Sequence, residues 1–71
     1  MRLSYDAETD SLYIHLSERA GADATEISDG VVLDYDAAGA LVGIDLQHAS
    51  KVAEIGSLLV ERLPTHTLKV A

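Results

Sequence analysis

The feature that most narrows what this chain can fold into is an echo: YDAETDSLYIHL at residues 5–16 returns as YDAAGALVGIDL at residues 35–46. Laid together without a gap, five of the twelve positions are identical: Tyr5 with Tyr35, Asp6 with Asp36, Ala7 with Ala37, Ile14 with Ile44 and Leu16 with Leu46. Around each copy the apolar residues alternate, as Leu3, Tyr5, Leu12, Ile14 and Leu16 in the first and Leu33, Tyr35, Val42, Ile44 and Leu46 in the second. A period of two over such lengths marks half-buried β-strands with one face turned to a core. The segments between the strands, DAETD and DAAG, have the composition of short hairpin turns. Gly39 accepts the positive φ such a turn demands. Thr9 stands in its place in the first copy, so that turn is expected to use Asp10.

The echo therefore predicts two antiparallel hairpins that point equivalent side chains to the same side. The opposite, outer face carries Arg2, Ser4, Tyr13 and His15 in the first hairpin and Val32, Asp34, Gly43 and Asp45 in the second. Residues 18–24 read as a loop, and residues 25–28 as a short extra strand before an Asp29-Gly30 turn. After Leu46 the period changes. Val52, Ile55, Leu59 and Leu63 recur at three- and four-residue intervals, which predicts an amphipathic helix over residues 50–63, with Ser50 as N-cap and Pro64 as its stop. The tail, residues 64–71, adds an edge strand or frays. The expectation is one α+β domain over residues 1–63: a four- to five-stranded antiparallel sheet with a single C-terminal helix on one face.

The residues just read resemble the family called domain of unknown function 2283. The likeness rests on Tyr5-Asp6, Asp10 to Ile14, Gly30 to Asp36, Gly39, Val42 to Asp45 and Ala49-Ser50. It implies a small bacterial cytoplasmic protein with no established catalytic residues, in a family some of whose members are thought to be antitoxin-like, encoded beside toxins. It carries no site onto this chain.

A chain of 71 residues hides only about 60% of the surface its unfolded form exposes. Its core is thin, and small proteins usually add disulfides, a metal or a second subunit. There is no cysteine, which removes disulfides and thiolate zinc sites together, and His15, His48 and His66 lack the close pairing of zinc motifs. A homodimer is the expectation that remains, protecting apolar side chains such as Val32, Leu58 and Val60. No stretch approaches the roughly 18 apolar residues of a membrane span, and the N-terminus has no apolar run after Arg2, so a soluble cytoplasmic protein is expected.

The formal charge is −7 and is unevenly placed. Residues 1–50 hold ten acids against Arg2 and Arg19, while residues 51–71 hold two acids against three bases. Phosphate backbones are bound through Lys and Arg, so direct binding of nucleic acid is not expected.

Neither a cation site nor a phosphate site emerges from the motifs. Asp6, Glu8 and Asp10 open like a calcium loop, but Ser11 stands where that loop needs glycine and Ser17 where it needs glutamate. Gly39 and Gly43 precede no helix in the order a phosphate-binding turn requires. No cofactor is expected.

Two functional classes stay open. The first is a non-enzymatic protein-binding module, antitoxin-like in its narrowest form, that meets a basic partner such as a toxin through Glu18, Asp23, Glu26, Asp34 and Asp45. The second is a small enzyme or ligand-binding domain that uses Tyr13, His15, Asp34 and Asp45 on the outer face, since a histidine held by a carboxylate can serve as a general base.

Overall fold

The computed structural model describes all 71 residues. Five strands, β1 (Arg2–Asp6), β2 (Ser11–His15), β3 (Asp23–Ser28), β4 (Val31–Tyr35) and β5 (Leu41–Leu46), form one antiparallel sheet in the order β1-β2-β5-β4-β3. One short helix, α1 (Ala49–Val52), follows. The fold is α+β and mostly β.

Register follows from the alternation in sequence. Leu3 lies opposite Ile14, Ile14 opposite Ile44, Ile44 opposite Leu33 and Leu33 opposite Thr25, so one row crosses the whole sheet, apolar on four strands and ending on a threonine at the β3 edge. Leu12 and Leu46 pair one step along the same face. The two segments of the sequence echo thus lie side by side, with Ile14 and Ile44 facing each other across the seam between β2 and β5. A slip of one residue would turn every one of these side chains to the other face.

The turns hold that register by local hydrogen bonds. Asp6 accepts the Glu8 backbone N–H through its side chain, and Asp10 takes φ 52°, the left-handed conformation that Gly39 takes at φ 86° in the later turn. Asp36 accepts from both Ala38 and Ala40 N–H at 3.0 and 2.8 Å, which closes the β4–β5 turn from inside. Gly30, at φ 79°, is required twice over. Its carbonyl accepts the Gln47 N–H, and a Cβ there would lie 2.9 Å from the Gln47 carbonyl oxygen. Irregularities fall at Glu26/Ser28 on the β3 edge and at Asp34/Tyr35 beside β5. Bulges of this kind on an edge strand discourage continued pairing with another sheet.

The helix expected over residues 50–63 is not formed. The chain makes one turn over Ala49–Val52, and Ala53 leaves it in an extended conformation at φ −143°, ψ 156°. The apolar spacing was compatible with a helix, but Gly56 and Ser57 interrupt the segment with residues of low helix propensity. An isolated helix of that length is marginal in water and depends on packing. That packing is missing here, because Val52, Ile55 and Leu59 all remain exposed. Ser50 is not the N-cap either; His48 holds that position in a left-handed conformation. Residues 64–71 add no strand.

The core is correspondingly small. Val42 and Ala49 are the only apolar residues fully withdrawn from solvent, while Leu3 and Tyr5 on the inner face of β1 stay about half exposed at 45% and 49%. The inner sheet face has no second layer across most of its width.

Candidate functional site

The outer face is set out by two rows of paired positions. Ser4, Tyr13, Asp45, Val32 and Glu26 lie in register across β1, β2, β5, β4 and β3, and beside them run Arg2, His15, Gly43, Asp34 and Ala24. The four residues singled out for the outer face, Tyr13, His15, Asp34 and Asp45, are therefore on one surface. Their partnerships are not those of a general base.

Tyr13 leans across β5 over Gly43, and its hydroxyl donates to Asp34 Oδ2 on β4 at 2.5 Å. The path exists only because residue 43 has no side chain: a Cβ there would lie 2.5 Å from Tyr13 Cζ and 2.8 Å from Cε1. The hydrogen bond to Asp34 pushes the Tyr13 phenol up to about 12, with burial and the charges of Asp34 and Asp45 adding to it. Tyr13 is thus a fixed proton donor, and Asp34 a carboxylate already supplied with its proton partner. The His15 ring stacks at a tilt on Tyr13, with centroids 4.3 Å apart and planes at 59°, and its Nδ1 lies 3.4 Å from the Arg2 guanidinium. If Arg2 donates to Nδ1, the neutral ring carries its proton on Nε2. His15 is engaged by a cation and an aromatic ring, and the nearby carboxylate of Asp34 is taken by Tyr13.

Two further constellations escaped the sequence reading. In the first, Asp10 joins the β1–β2 turn to the helix: it accepts the Tyr5 hydroxyl at 2.7 Å, the Ser50 hydroxyl at 2.6 Å and the Ser50 N–H, while its own carbonyl accepts the Ala49 N–H. The Ser50 and Tyr5 hydroxyls hold the Asp10 carboxyl below its ordinary range, and the bond to Asp10 raises the Tyr5 phenol in return. In the second, Arg19 pairs with Asp36 at 2.9 Å and donates to the Leu41 carbonyl, tying the β2–β3 connection to the β4–β5 turn. Backbone hydrogen bonds from Ala40 and Ala38, followed by Arg19, hold the Asp36 carboxyl low. Ser50 as a nominal helix cap was the only available hint of the first; nothing in the local pattern pointed to the second.

The acidic residues proposed as contacts fall into two places. Asp23 and Asp34 line an open depression with Gly21, Ala22 and Ala24, at the end of the β3–β4 pair. Glu26 and Asp45 flank Val32 on the outer face, and Glu18 sits in the exposed β2–β3 connection. Apart from Arg19 with Asp36, the one ion pair is the long contact between Arg62 and Glu61, so most of the acids carry uncompensated charge. No group of three His, Asp or Glu side chains is placed to hold a metal ion, and no helix is long and apolar enough to cross a membrane.

The model of the family described as Protein of unknown function (DUF2283) matches residues 2–50. The chain belongs to this family. The matched span begins with β1 and ends at Ser50, so it takes in the entire sheet and the Asp10–Ser50 connection. Several residues that carry the likeness are those that close the fold: Tyr5, Asp10 and Ser50 in one cluster, Tyr13, Gly43 and Asp34 in another, and Gly30, Asp36 and Gly39 in the turns. No curated protein and no solved structure matches the chain.

Proposed function

We propose that the chain is a non-enzymatic protein-binding module that meets a basic partner through the β3–β4–β5 side of its outer face. The observation that carries this reading is the segregation of charge by register. Glu26, Asp45 and Asp34 stand on the β3, β5 and β4 portion of the face with no base among them, whereas β1 carries both Arg2 and Asp6; Glu18 lies in the exposed β2–β3 connection, and Asp23, opposite Tyr35, sits at the β3 edge toward the inner side. A surface of one sign steers an oppositely charged partner and disfavours partners of like charge. In its narrowest form the partner is a nucleic-acid-directed toxin whose basic surface the module covers, an antitoxin-like role.

The outer face supports acid–base catalysis poorly. Tyr13 keeps its proton far above neutral pH, and Asp34 is already bonded to it. Of the four residues of the enzyme reading only Asp45 has no hydrogen-bonded or stacked partner, and the Tyr13 beside it has its hydroxyl committed to Asp34.

The experiment is a pull-down from the native cell with the wild-type chain and with a variant carrying Glu18→Lys, Asp23→Lys, Glu26→Lys and Asp45→Lys. Asp34 is spared because it anchors Tyr13. The recovered partner should be basic, and its association rate should fall steeply with salt and with the reversals. A rate indifferent to ionic strength and to the four reversals would remove the proposal.

A further inference from the structure

The inner face of the sheet, opposite the acidic surface, presents a different problem. Leu3, Tyr5, Leu12, Ile14 and Leu46 form the floor of an apolar hollow of about 510 Å³, and Ile55 and Leu58 from the C-terminal segment form one wall. The far side is open. Leu58 in that wall is still 73% exposed, and beyond it Leu59 and Leu68 stand in water at 79% and 74%. The chain thus carries an uncovered apolar sheet and an unburied apolar strip next to each other.

We infer that a second copy of this chain covers the inner face, forming a homodimer in which the two sheets face each other with residues 53–71 of both chains packed between them. Three observations favour a second copy. The first is area. A compact monomer of 7.6 kDa exposes about 4,300 Å², whereas this chain exposes 5659 Å². The excess, about 1,400 Å² per chain or about 2,700 Å² for a pair, falls within the range of obligate homodimer interfaces.

The second is charge. Two chains of net charge −7 repel, and an interface that buried their carboxylates would be costly. The inner positions of β1, β2, β4 and β5 are Leu3, Tyr5, Leu12, Ile14, Val31, Leu33, Tyr35, Val42, Ile44 and Leu46, none of them charged; Asp23 on the β3 edge and Glu54 in the wall of the hollow are the carboxylates on this side, both exposed, so two copies can meet over the apolar strands with far less like charge between them than on the outer face. The third is self-sufficiency: the exposed strip supplies the leucines that the hollow lacks. The sequence placed the unprotected sheet surface at Val32, but that residue lies between Asp45 and Glu26 on the polar side and is partly covered. Dimerisation through the inner face leaves both outer faces directed away from each other.

The test uses the full-length chain. Sedimentation equilibrium at micromolar concentration should give twice 7.6 kDa. A Leu58→Asp/Leu59→Asp variant, altered outside the sheet, should keep its strand circular dichroism while its dimer dissociation constant rises at least about tenfold, as two carboxylates are placed in an apolar interface. Isotope-filtered NMR on a mixture of labelled and unlabelled chains should show contacts between Leu12 or Ile14 of one chain and residues 53–71 of the other. A 7.6 kDa particle at that concentration overturns the inference, as does a dimer whose inter-chain contacts map to the outer face. Contacts from the strip to the inner face within one chain only would likewise overturn it, since the segment would then be covering its own sheet.

Discussion

Replacing Gly43 with alanine tests how the outer face is held together. The new Cβ would overlap the Tyr13 hydroxyl and lie 2.5 Å from Cζ, so the ring must swing away and release Asp34. A hydrogen bond to a charged partner contributes about 1.5–3 kcal/mol, and a partly exposed one sits at the low end. Against this, alanine in a strand interior is favoured over glycine by about 0.5–1 kcal/mol. With the ring contact over Gly43 also lost, the net expectation for Gly43→Ala is a destabilisation of about 1.5 kcal/mol, or a fall in Tm of about 6–12 °C for a domain of this size.

The sign should reverse when Tyr13 is gone. In a Tyr13→Ala background nothing occupies the space, so Gly43→Ala should stabilise by about 0.5–1 kcal/mol through the backbone alone. The two effects differ by about 2 kcal/mol, a coupling well above the scatter of independent sites. Urea denaturation of the wild type, both single variants and the double variant, all at one protein concentration, measures it. If Gly43→Ala costs the same in both backgrounds, the ring does not depend on the missing side chain and the argument fails.

Other consequences are accessible to titration and mutagenesis. The folded Tyr13 and Tyr5 phenols both lie above their ordinary 10.0, so the contribution of each to stability is complete below about pH 10 and is lost at higher pH, that of Tyr13 as pH rises toward about 12; Tyr13→Phe should remove most of that alkaline dependence in urea midpoints measured across the window. Asp10 and Asp36 are shifted the other way, so their contribution is present above their ordinary 3.8 and lost as pH falls below it, and Asp10→Asn should flatten the acid limb of the stability curve. Ser50→Ala removes the shortest bond to Asp10, and NMR should show the Asp10 carboxyl titrating closer to its ordinary value and the Ala49 amide exchanging faster. Ile44→Ala, at the centre of the inner row, should cost about 2–3 kcal/mol, and Tyr35→Ala should also be destabilising, whereas His15→Ala on the outer face should change stability little; denaturant midpoints that ranked His15 above Ile44 would mean the faces are reversed.

The strands were legible because a half-buried sheet writes its face into alternate residues, and Leu3, Ile14, Leu33 and Ile44 do line one row. The turns were legible for an equally local reason: few residues accept positive φ cheaply, so Gly39 and Asp10 stood out. The helix was misread because three- and four-residue spacing reports only where apolar side chains would fall if a helix formed, whereas its formation depends on Gly56, Ser57 and a packing surface. Membership of the outer face could be read from period two, but the partners on it could not, since Tyr13 reaches Asp34 across an intervening strand and strand order is not written locally. One signal was available. In the sequence echo Tyr13 aligns with Gly43, the sharpest change of size among the twelve positions, and the ring of one lies over the gap left by the other.

The strand order also has a kinetic side. Of the four pairings, β1–β2, β3–β4 and β4–β5 join neighbours in the chain, and only β2–β5 joins distant segments. Folding should therefore begin as two separately nucleated pieces, a hairpin of β1 and β2 and a three-strand meander of β3, β4 and β5. Its late step closes the long loop from His15 to Gly43. A lone two-stranded hairpin is at best marginal in water, so the first piece gains persistence only when it docks. The side-chain bonds from Tyr13 to Asp34 and from Asp10 to Ser50 bridge that same junction, and the pair of Arg19 with Asp36 ties the closing loop to the meander. Weakening them should leave the local hairpins forming as fast as before and speed the parting of the two halves, so that their removal appears mainly in the unfolding limb of the chevron.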